Sequence, residues 1–289
     1  MSNNARLKSL FVLPSVVVSM AILVAALVMA TMSWRERVAW LGAAASALPL
    51  LLIMTRLMLA PVPRTSESMP LALLVAFGGV TVAAWELLYE GAATWRPLLA
   101  AAVATLLLLL YVFWYSRFGR HPDPRLDVGA RLPDFELADI DGKTARSAEL
   151  RGAPAVLLFY RGNWCPICMA QLRELAQRYQ DLAKLGVTVW LISPQPERRT
   201  RALADKLGIP FRFLVDRDNT VAEELAIAVE NGVPAGLPGA YPPDTVMPTV
   251  IVTNASGTIV FSDQTDNYRV RPEPDIFIAI LRRAGAIAA

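Results

Sequence analysis

Four long apolar runs in the first 115 residues constrain what this chain can fold into. They cover residues 10–32, 38–55, 69–88 and 97–115. Each is close to the roughly 20 residues that a helix needs to cross the core of a bilayer. Helices of a soluble bundle would show a polar face at helical spacing, whereas these runs are apolar all round. The pattern therefore predicts four transmembrane helices within residues 1–116, with the lipid bilayer as a partner.

The residues that flank these runs support the same interpretation. The first run is longer than the apolar core of a signal peptide and lacks a clear cleavage site of small residues. Aromatic side chains of the kind that favour membrane interfaces fall near the ends of the runs, namely Trp34, Trp40, Trp85, Trp95, Trp114 and Tyr115. We therefore expect a multi-pass protein of the cell membrane.

Lysine and arginine near the spans predict the orientation. With four spans, both ends of the chain lie on one side of the membrane. The basic residues on that side are Arg6, Lys8, Arg56, Arg64, Arg117, Arg120 and Arg125, and those on the other side are Arg35, Arg37 and Arg96. Because positive charge accumulates on cytoplasmic connections, this bias predicts a cytoplasmic C-terminal half. A periplasmic location is the alternative.

The second half has the composition of a soluble domain. Hydrophobic residues make up 55% of the chain, and their excess is concentrated before residue 117. Residues 117–128 are polar and contain Pro122 and Pro124, which predicts a linker. The net charge is only +3 and the basic residues are scattered, so nucleic acid is not an expected partner.

Alternating patterns in residues 129–289 predict an α/β domain with a mixed sheet. Strands are predicted at residues 135–140, 155–160, 187–192, 211–215, 248–253 and 258–262, and helices at residues 169–185, 196–207, 220–226 and 275–283. A long loop at residues 229–243, rich in glycine and proline, is predicted to border the substrate face. The fold class is therefore multi-domain: an N-terminal four-helix transmembrane bundle followed by an α/β domain.

The only two cysteines, Cys165 and Cys168, lie at a predicted junction between strand and helix. A thiolate at Cys165 would face free N–H groups and the positive end of the helix dipole, which lowers a thiol pKa. Cys168 follows one turn later, within reach of a disulfide. Zinc needs about four ligands, and His121 is the only histidine, so no metal or other cofactor is expected. Two interpretations of the cysteine pair remain: a redox-active pair, or inert packing in the core.

Four short motifs occur together in the second half. They are the opening at residues 129–135 (G-A-R-L-P-D-F), residues 164–168 (W-C-P-I-C), residues 247–249 (M-P-T) and the turn at Gly257. In this combination residues 129–289 resemble the thioredoxin-fold redoxins, the group that includes thioredoxin-like oxidoreductases and the alkyl hydroperoxide reductase/thiol-specific antioxidant peroxiredoxins. The resemblance implies that Cys165 is the nucleophilic, more exposed thiol and that Cys168 resolves the intermediate.

The resemblance also implies supporting residues. Pro248 matches the family's cis-proline, which would lie beside the disulfide and present the Met247 backbone to a substrate, with Thr249 opening the strand. Trp164 would shield the disulfide, and Pro166 belongs to the same motif. An ordinary trans proline and a plain core tryptophan are the alternatives.

The chain departs from the family pattern at three places. Gly162 stands where peroxiredoxins carry threonine or serine, and the arginine that they place near the position of Met247 is absent. Phe159 stands where thioredoxins carry a buried aspartate. Arg161 is a candidate cation to favour a thiolate at Cys165, and a surface arginine is the alternative.

These observations lead to three functional hypotheses. The first is a membrane-anchored thiol–disulfide oxidoreductase that reduces a protein disulfide and takes electrons from a thioredoxin- or glutathione-type donor. The second is a peroxiredoxin-like peroxidase, in which a hydroperoxide oxidises Cys165 to a sulfenic acid. The third is a redox sensor without turnover.

Overall fold

The computed structural model describes residues 2–91, 94–237 and 241–287, and it combines a helical region with an α/β region. The helical region consists of α1 (Ser2–Met32), α2 (Arg37–Leu59), α3 (Pro70–Leu88) and α4 (Arg96–Leu109), which continues as a π-helical turn (Leu110–Tyr115). All four are long and apolar enough to cross a membrane. Both α1 and α2 extend beyond the predicted runs, because hydropathy marks only the apolar part of a helix and polar turns can continue it.

Helices α2 and α3 come into close contact at Gly42 and Gly79. A Cβ on Gly42 would lie 2.7 Å from the carbonyl oxygen of Gly79, and a Cβ on Gly79 would collide with the Gly42 carbonyl and the Ser46 side chain. Ser46 Oγ also donates a hydrogen bond to the Ala76 carbonyl oxygen at 2.9 Å. Small residues allow the two backbones to approach, as in membrane helix pairs.

Gly78 and Gly79 offer a matched test of this contact. We expect Gly79→Ala to lower the free energy of unfolding by about 1–3 kcal/mol, the usual cost of overpacking a tight interface. Gly78 has open space around its Cβ position, so Gly78→Ala should leave the protein unchanged. Thermal unfolding of both variants in detergent would measure this, and equal melting temperatures would contradict the close contact.

The α/β region is built on a mixed sheet, as predicted. Its strands lie in the order β2-β1-β5-β4-β3-β8-β9, and β6 pairs with β7 apart from it. The strands are β1 (Glu136–Asp139), β2 (Thr144–Arg146), β3 (Ala155–Phe159), β4 (Thr188–Ser193), β5 (Arg212–Val215), β6 (Ala228–Val229), β7 (Thr245–Val246), β8 (Thr249–Thr253) and β9 (Ile259–Asp263). The helices are α5 (Pro166–Gln177), α6 (Tyr179–Lys184), α7 (Glu197–Leu207), α8 (Thr220–Glu224) and α9 (Pro274–Arg283).

The central strand β3 positions the two cysteines. It is buried along its length, pairs in parallel with β4 and pairs antiparallel with β8. Its last residue, Phe159, lies opposite Thr249, the first residue of β8. This register brings the segment before α5 next to Pro248, so two motifs that are far apart in sequence meet at one edge of the sheet.

The loop predicted at residues 229–243 lies between the short strands β6 and β7 and overlaps them only at Val229; both strands are too brief to give a periodic signal. One expectation about this region was wrong: the helix predicted at residues 169–185 is divided at Arg178 into α5 and α6. Residues 238–240 of the loop lie outside the described residues.

The two regions share one hydrophobic core. Leu57 of α2 and Tyr111, Val112 and Tyr115 of the π-helical turn belong to the same buried cluster as Cys165. The hydroxyl groups of Tyr111 and Tyr268 lie 3.3 Å apart across the junction. The α/β region therefore packs against the end of the helical bundle, with the cysteine pair near the contact.

Arg269 connects the two regions through a buried guanidinium group. Its side chain is fully buried. Its Nε donates to Ser116 Oγ at 2.6 Å, and its Nη1 donates to Thr65 Oγ1 at 2.6 Å and to the Ser66 carbonyl oxygen at 3.0 Å. Its Nη2 donates to the Glu67 carbonyl oxygen at 2.9 Å. Arg269 therefore ties the α2–α3 connection and the end of the fourth helix to the α/β region.

Candidate functional site

The first turn of α5 holds both cysteines. Cys165 is the N-cap residue, and its Sγ accepts a hydrogen bond from the Cys168 backbone N–H at 3.3 Å. Pro166 occupies the first helical position, where its missing N–H costs nothing and its fixed φ suits the helix. Both cysteines are free. The predicted arrangement of a thiol at a helix N-terminus, with a second thiol one turn later, is present.

Cys165 is the more exposed of the two thiols by a small margin, since it is 2% exposed and Cys168 is fully buried. The helical region contributes to this burial, because Leu57 of α2 and Tyr111 and Tyr115 of the π-helical turn belong to the same buried cluster as Cys165. A crevice of about 310 Å³ lies between the end of α2 and the dithiol motif, lined by Leu57, Met58, Leu59, Ala60, Pro61, Asn163, Trp164, Pro166, Met169 and Arg173.

Arg271 is a site residue that the sequence analysis missed. Its side chain is 5% exposed, and its Nη2 lies 3.5 Å from Cys168 Sγ. The Nε donates to the Tyr268 carbonyl oxygen and the Nη1 donates to Gln171 Oε1, both at 2.7 Å. No sequence signal links Arg271 to Cys168, since the two are 103 residues apart and meet only in the folded chain.

The electrostatic surroundings shift the pKa values of the two thiols in opposite directions. Burial alone would raise the pKa of Cys168, but the hydrogen bond from the Cys165 thiol and the charge of Arg271 lower it to about 5. Burial raises the pKa of Cys165 well above that of an ordinary thiol, and the hydrogen bond to Cys168 raises it further. The direction at Cys165 is opposite to the lowered pKa expected from the helix terminus, because burial and the neighbouring Cys168 outweigh the charges of Arg271 and Arg161.

Gly162 has a structural reason to depart from the peroxiredoxin pattern. Its φ is +144°, and a Cβ there would lie 2.8 Å from Trp164 Nε1 and 3.3 Å from Gln195 Oε1. Gln195 is buried and accepts from the Asn163 N–H at 2.8 Å. A threonine at position 162 would displace the Trp164 ring. The glycine therefore lets the indole pack against this turn, and the hydroxyl of the peroxiredoxin pattern is absent. No sequence motif marks Gln195 as part of the site.

Arg161 is buried and does not lie on the surface. Its guanidinium carbon lies 4.6 Å from the centre of the Trp164 ring, 5.0 Å from that of Tyr268 and 5.3 Å from that of Phe118. It also donates a hydrogen bond to the Gly232 carbonyl oxygen. Since aromatic faces attract cations, the three rings hold the positive charge close to the dithiol motif.

The segment from Met247 to Thr249 lies beside the end of β3, as the motif predicted. All three residues are buried. The Met247 N–H donates to the Ile227 carbonyl oxygen at 2.6 Å, and its own carbonyl oxygen accepts from Thr249 Oγ1 at 2.9 Å. The expected cis bond before Pro248 is absent, since the described residues contain no cis peptide. The Met247 backbone is therefore occupied within the chain.

The loop between β6 and β7 reaches both the site and the helical region. Its Gly232 carbonyl oxygen accepts from Arg161. The Ala235 N–H donates to the Ser9 carbonyl oxygen of α1 at 2.8 Å. The loop therefore lies between the dithiol motif and the first helix, near the face where it was expected.

Comparisons with known proteins agree with this geometry. The AhpC/TSA family model matches residues 128–262, within the α/β region. The putative peroxiredoxin bcp of Coxiella burnetii is 30% identical over 105 residues, which covers 36% of this chain and 70% of that protein. The thiol-disulfide oxidoreductase ResA of Geobacillus thermodenitrificans is 29% identical over 119 residues, which covers 40% of this chain and 68% of that protein.

Other relatives match over a smaller share of their length. The chloroplastic peroxiredoxin Q of Triticum aestivum is 34% identical over 118 residues, 41% of this chain and 52% of that protein. This chain thus spans about half the length of the plant relatives. The crystal structure of peroxidoxin BcpB from Mycobacterium tuberculosis aligns with 55% of this chain and 97% of its own, at 24% identity and a TM-score of 0.45. The chain belongs to the AhpC/TSA family of thioredoxin-fold redoxins.

Proposed function

We propose that this protein is a membrane-anchored thiol–disulfide oxidoreductase that cycles Cys165 and Cys168 between dithiol and disulfide. The observation that carries the proposal is the hydrogen bond from the Cys168 N–H to Cys165 Sγ, which holds the two side chains one helical turn apart. The buried guanidinium of Arg271 beside Cys168 Sγ adds the charge that such a pair needs to react as a thiolate.

The reaction follows from this geometry. Cys165 attacks one sulfur of a substrate disulfide, its proton passes to the Cys168 thiolate, and the substrate sulfur–sulfur bond breaks to release the first substrate thiolate. That thiolate takes the proton from Cys168 and leaves as a thiol. Cys168, again a thiolate, attacks Cys165 Sγ, and the bond between Cys165 and the substrate sulfur breaks to release the second substrate thiolate. Two electrons pass from the dithiol to the substrate. A thioredoxin- or glutathione-type thiol would reduce the resulting disulfide again.

A second candidate oxidant is a hydroperoxide, and the burial of Cys165 favours it. A thiol that is 2% exposed admits a small molecule more readily than a folded protein. Cys165 would take the terminal peroxide oxygen to form a sulfenic acid and release an alcohol or water. Cys168 would then condense with the sulfenic acid, forming the disulfide and releasing one water. Relatives named peroxiredoxin support this candidate.

Residues 1–116 would anchor the protein, residues 117–128 would link the regions, and residues 129–289 would carry the chemistry. Four apolar helices support the anchor, and the greater number of basic residues beside the ends of the chain supports a cytoplasmic α/β region. Protease added to right-side-out membrane vesicles should leave the α/β region intact. Digestion in those vesicles would indicate the periplasmic side.

The two oxidants can be separated with the reduced full-length protein in detergent. We would mix it with hydrogen peroxide or with a disulfide-bonded protein, quench with acid, and count free thiols by mass spectrometry. Faster loss of thiols with the protein disulfide supports the oxidoreductase, and faster loss with peroxide supports the peroxidase. Cys165→Ser should abolish either reaction, while Cys168→Ser should accumulate the mixed disulfide or the sulfenic acid. Full activity of Cys165→Ser would exclude both.

A further inference from the structure

Among the described residues, no carboxylate forms an ion pair with the buried guanidinium of Arg271, which is 5% exposed. The charge of Asp263 acts on Arg271 from beyond ion-pair distance. The hydrogen-bond acceptors of Arg271 are one backbone carbonyl, one amide oxygen and Cys168 Sγ. A buried cation without a close counter-charge is costly. A thiolate on Cys168 is the anion in contact with it, so guanidinium and sulfur can form an ion pair.

Gln171 holds the Arg271 side chain in place, while its own amide nitrogen stays without a hydrogen-bond acceptor among the described residues. It is 1% exposed, and its Oε1 accepts from Arg271 Nη1 at 2.7 Å. A buried donor left unsatisfied costs about 1–3 kcal/mol. The Gln171 amide thus points its oxygen at the Arg271 guanidinium, and Gln171 acts as a positioning residue for Arg271.

Several groups face Cys168, and among the described residues Arg271 supplies the one positively charged side chain within hydrogen-bond distance of its Sγ. The Cys165 thiol lies on the same turn, the Arg161 backbone approaches from the segment before α5, and the Tyr160 hydroxyl acts on it from the end of β3. None of these is a carboxylate. Phe159 occupies the position where a buried acid would act as proton acceptor in thioredoxins, and it is fully buried.

We infer that Arg271 is a catalytic residue of the resolving step: it keeps Cys168 as a thiolate, in place of a proton-accepting carboxylate. This inference rests on the proposed dithiol cycle and specifies its second half. After the mixed disulfide forms on Cys165, Cys168 Sγ attacks Cys165 Sγ. The bond between Cys165 and the substrate sulfur breaks, and the substrate leaves as a thiolate. Arg271 then loses its anionic partner until the disulfide is reduced again.

Dithiodipyridine separates the two steps, because each step releases one coloured thiopyridone. In the reduced full-length protein, the first release reports attack by Cys165 and the second reports ring closure by Cys168. We expect Arg271→Met to slow the second release by about tenfold or more at neutral pH, since a buried thiol without a cation is rarely ionised. The lower nucleophilicity of an acidic thiolate opposes this loss only in part.

The pH profile distinguishes a catalytic role from a structural one. The second release should be almost independent of pH near neutrality in the wild type and should rise with pH in Arg271→Met. Arg271→Lys should restore part of the rate. Arg178→Met, which removes an exposed arginine after α5, is the matched control. Equal second-release rates in wild type and Arg271→Met would overturn the inference, whereas absence of the first release from the wild type would instead overturn the proposed function.

Discussion

Replacing Arg269 with methionine should separate the two regions of the protein. The change removes a buried guanidinium that donates to Ser116 Oγ, to Thr65 Oγ1 and to carbonyl oxygens of the α2–α3 connection. Those acceptors would stay buried without donors, and each unsatisfied group costs about 1–3 kcal/mol. We expect the free energy of unfolding to fall by at least about 3 kcal/mol, which approaches the loss seen when a buried polar network is broken.

Chemical denaturation in detergent would measure this loss, and limited proteolysis would localise it. Cleavage within residues 117–128 should become faster in Arg269→Met. Arg146→Met is the control, since Arg146 forms an exposed ion pair with Glu136 and makes no contact with the helical region. Equal stability of Arg269→Met and Arg146→Met would contradict the role of Arg269 as a connection between the regions.

The reduction potential of the Cys165–Cys168 disulfide should change with pH at half the usual slope. Reduction adds two electrons, and an ordinary dithiol also takes up two protons, which gives about 59 mV per pH unit. Here the Cys168 pKa is lowered to about 5 and the Cys165 pKa is raised. Between these values the reduced pair takes up one proton, so the slope should be about 30 mV per pH unit.

Equilibration of the full-length protein with a glutathione or dithiothreitol buffer across this range would give the slope. It should steepen as the pH falls through about 5, where Cys168 also becomes protonated. Arg271→Met should move that steepening toward alkaline pH, because the cation that lowers the Cys168 pKa is gone. A slope near 59 mV per unit for the wild type at neutral pH would mean that both thiols are protonated there.

The sequence predicted the parts of this fold that depend on local patterns. Long apolar runs predicted the four helices, and the alternation of strand and helix patterns predicted the mixed sheet. The spacing of Cys165 and Cys168 after a buried strand was enough to place both at the start of a helix. The Met247–Thr249 motif was correctly expected beside them, because pairing of β3 with β8 is a property of the family fold.

The parts that failed depend on contacts between distant segments. Cys165 shares its buried cluster with Leu57 of α2 and with Tyr111 and Tyr115 of the π-helical turn, and no pattern within these segments indicates that they meet. Arg271 looks like any other arginine in sequence, and only the packing of its segment against α5 makes it a neighbour of Cys168. The pKa of Cys165 is raised and that of Cys168 is lowered because burial, the partner thiol and Arg271 act together, and neither the burial nor the guanidinium follows from the local helix terminus.

If α2 lies in a membrane as proposed, its end at the crevice beside the dithiol motif would link the bilayer to the chemistry. A large oxidant can reach Cys165 only when the crevice between α2 and the dithiol motif widens. Its observed rate then equals the intrinsic rate multiplied by the fraction of molecules that are open. With α2 inserted in a membrane as proposed, changes in bilayer thickness that tilt this helix would alter that fraction. Lipid composition would thereby alter how fast the protein reacts with a large oxidant, without any change in the sequence of the dithiol motif.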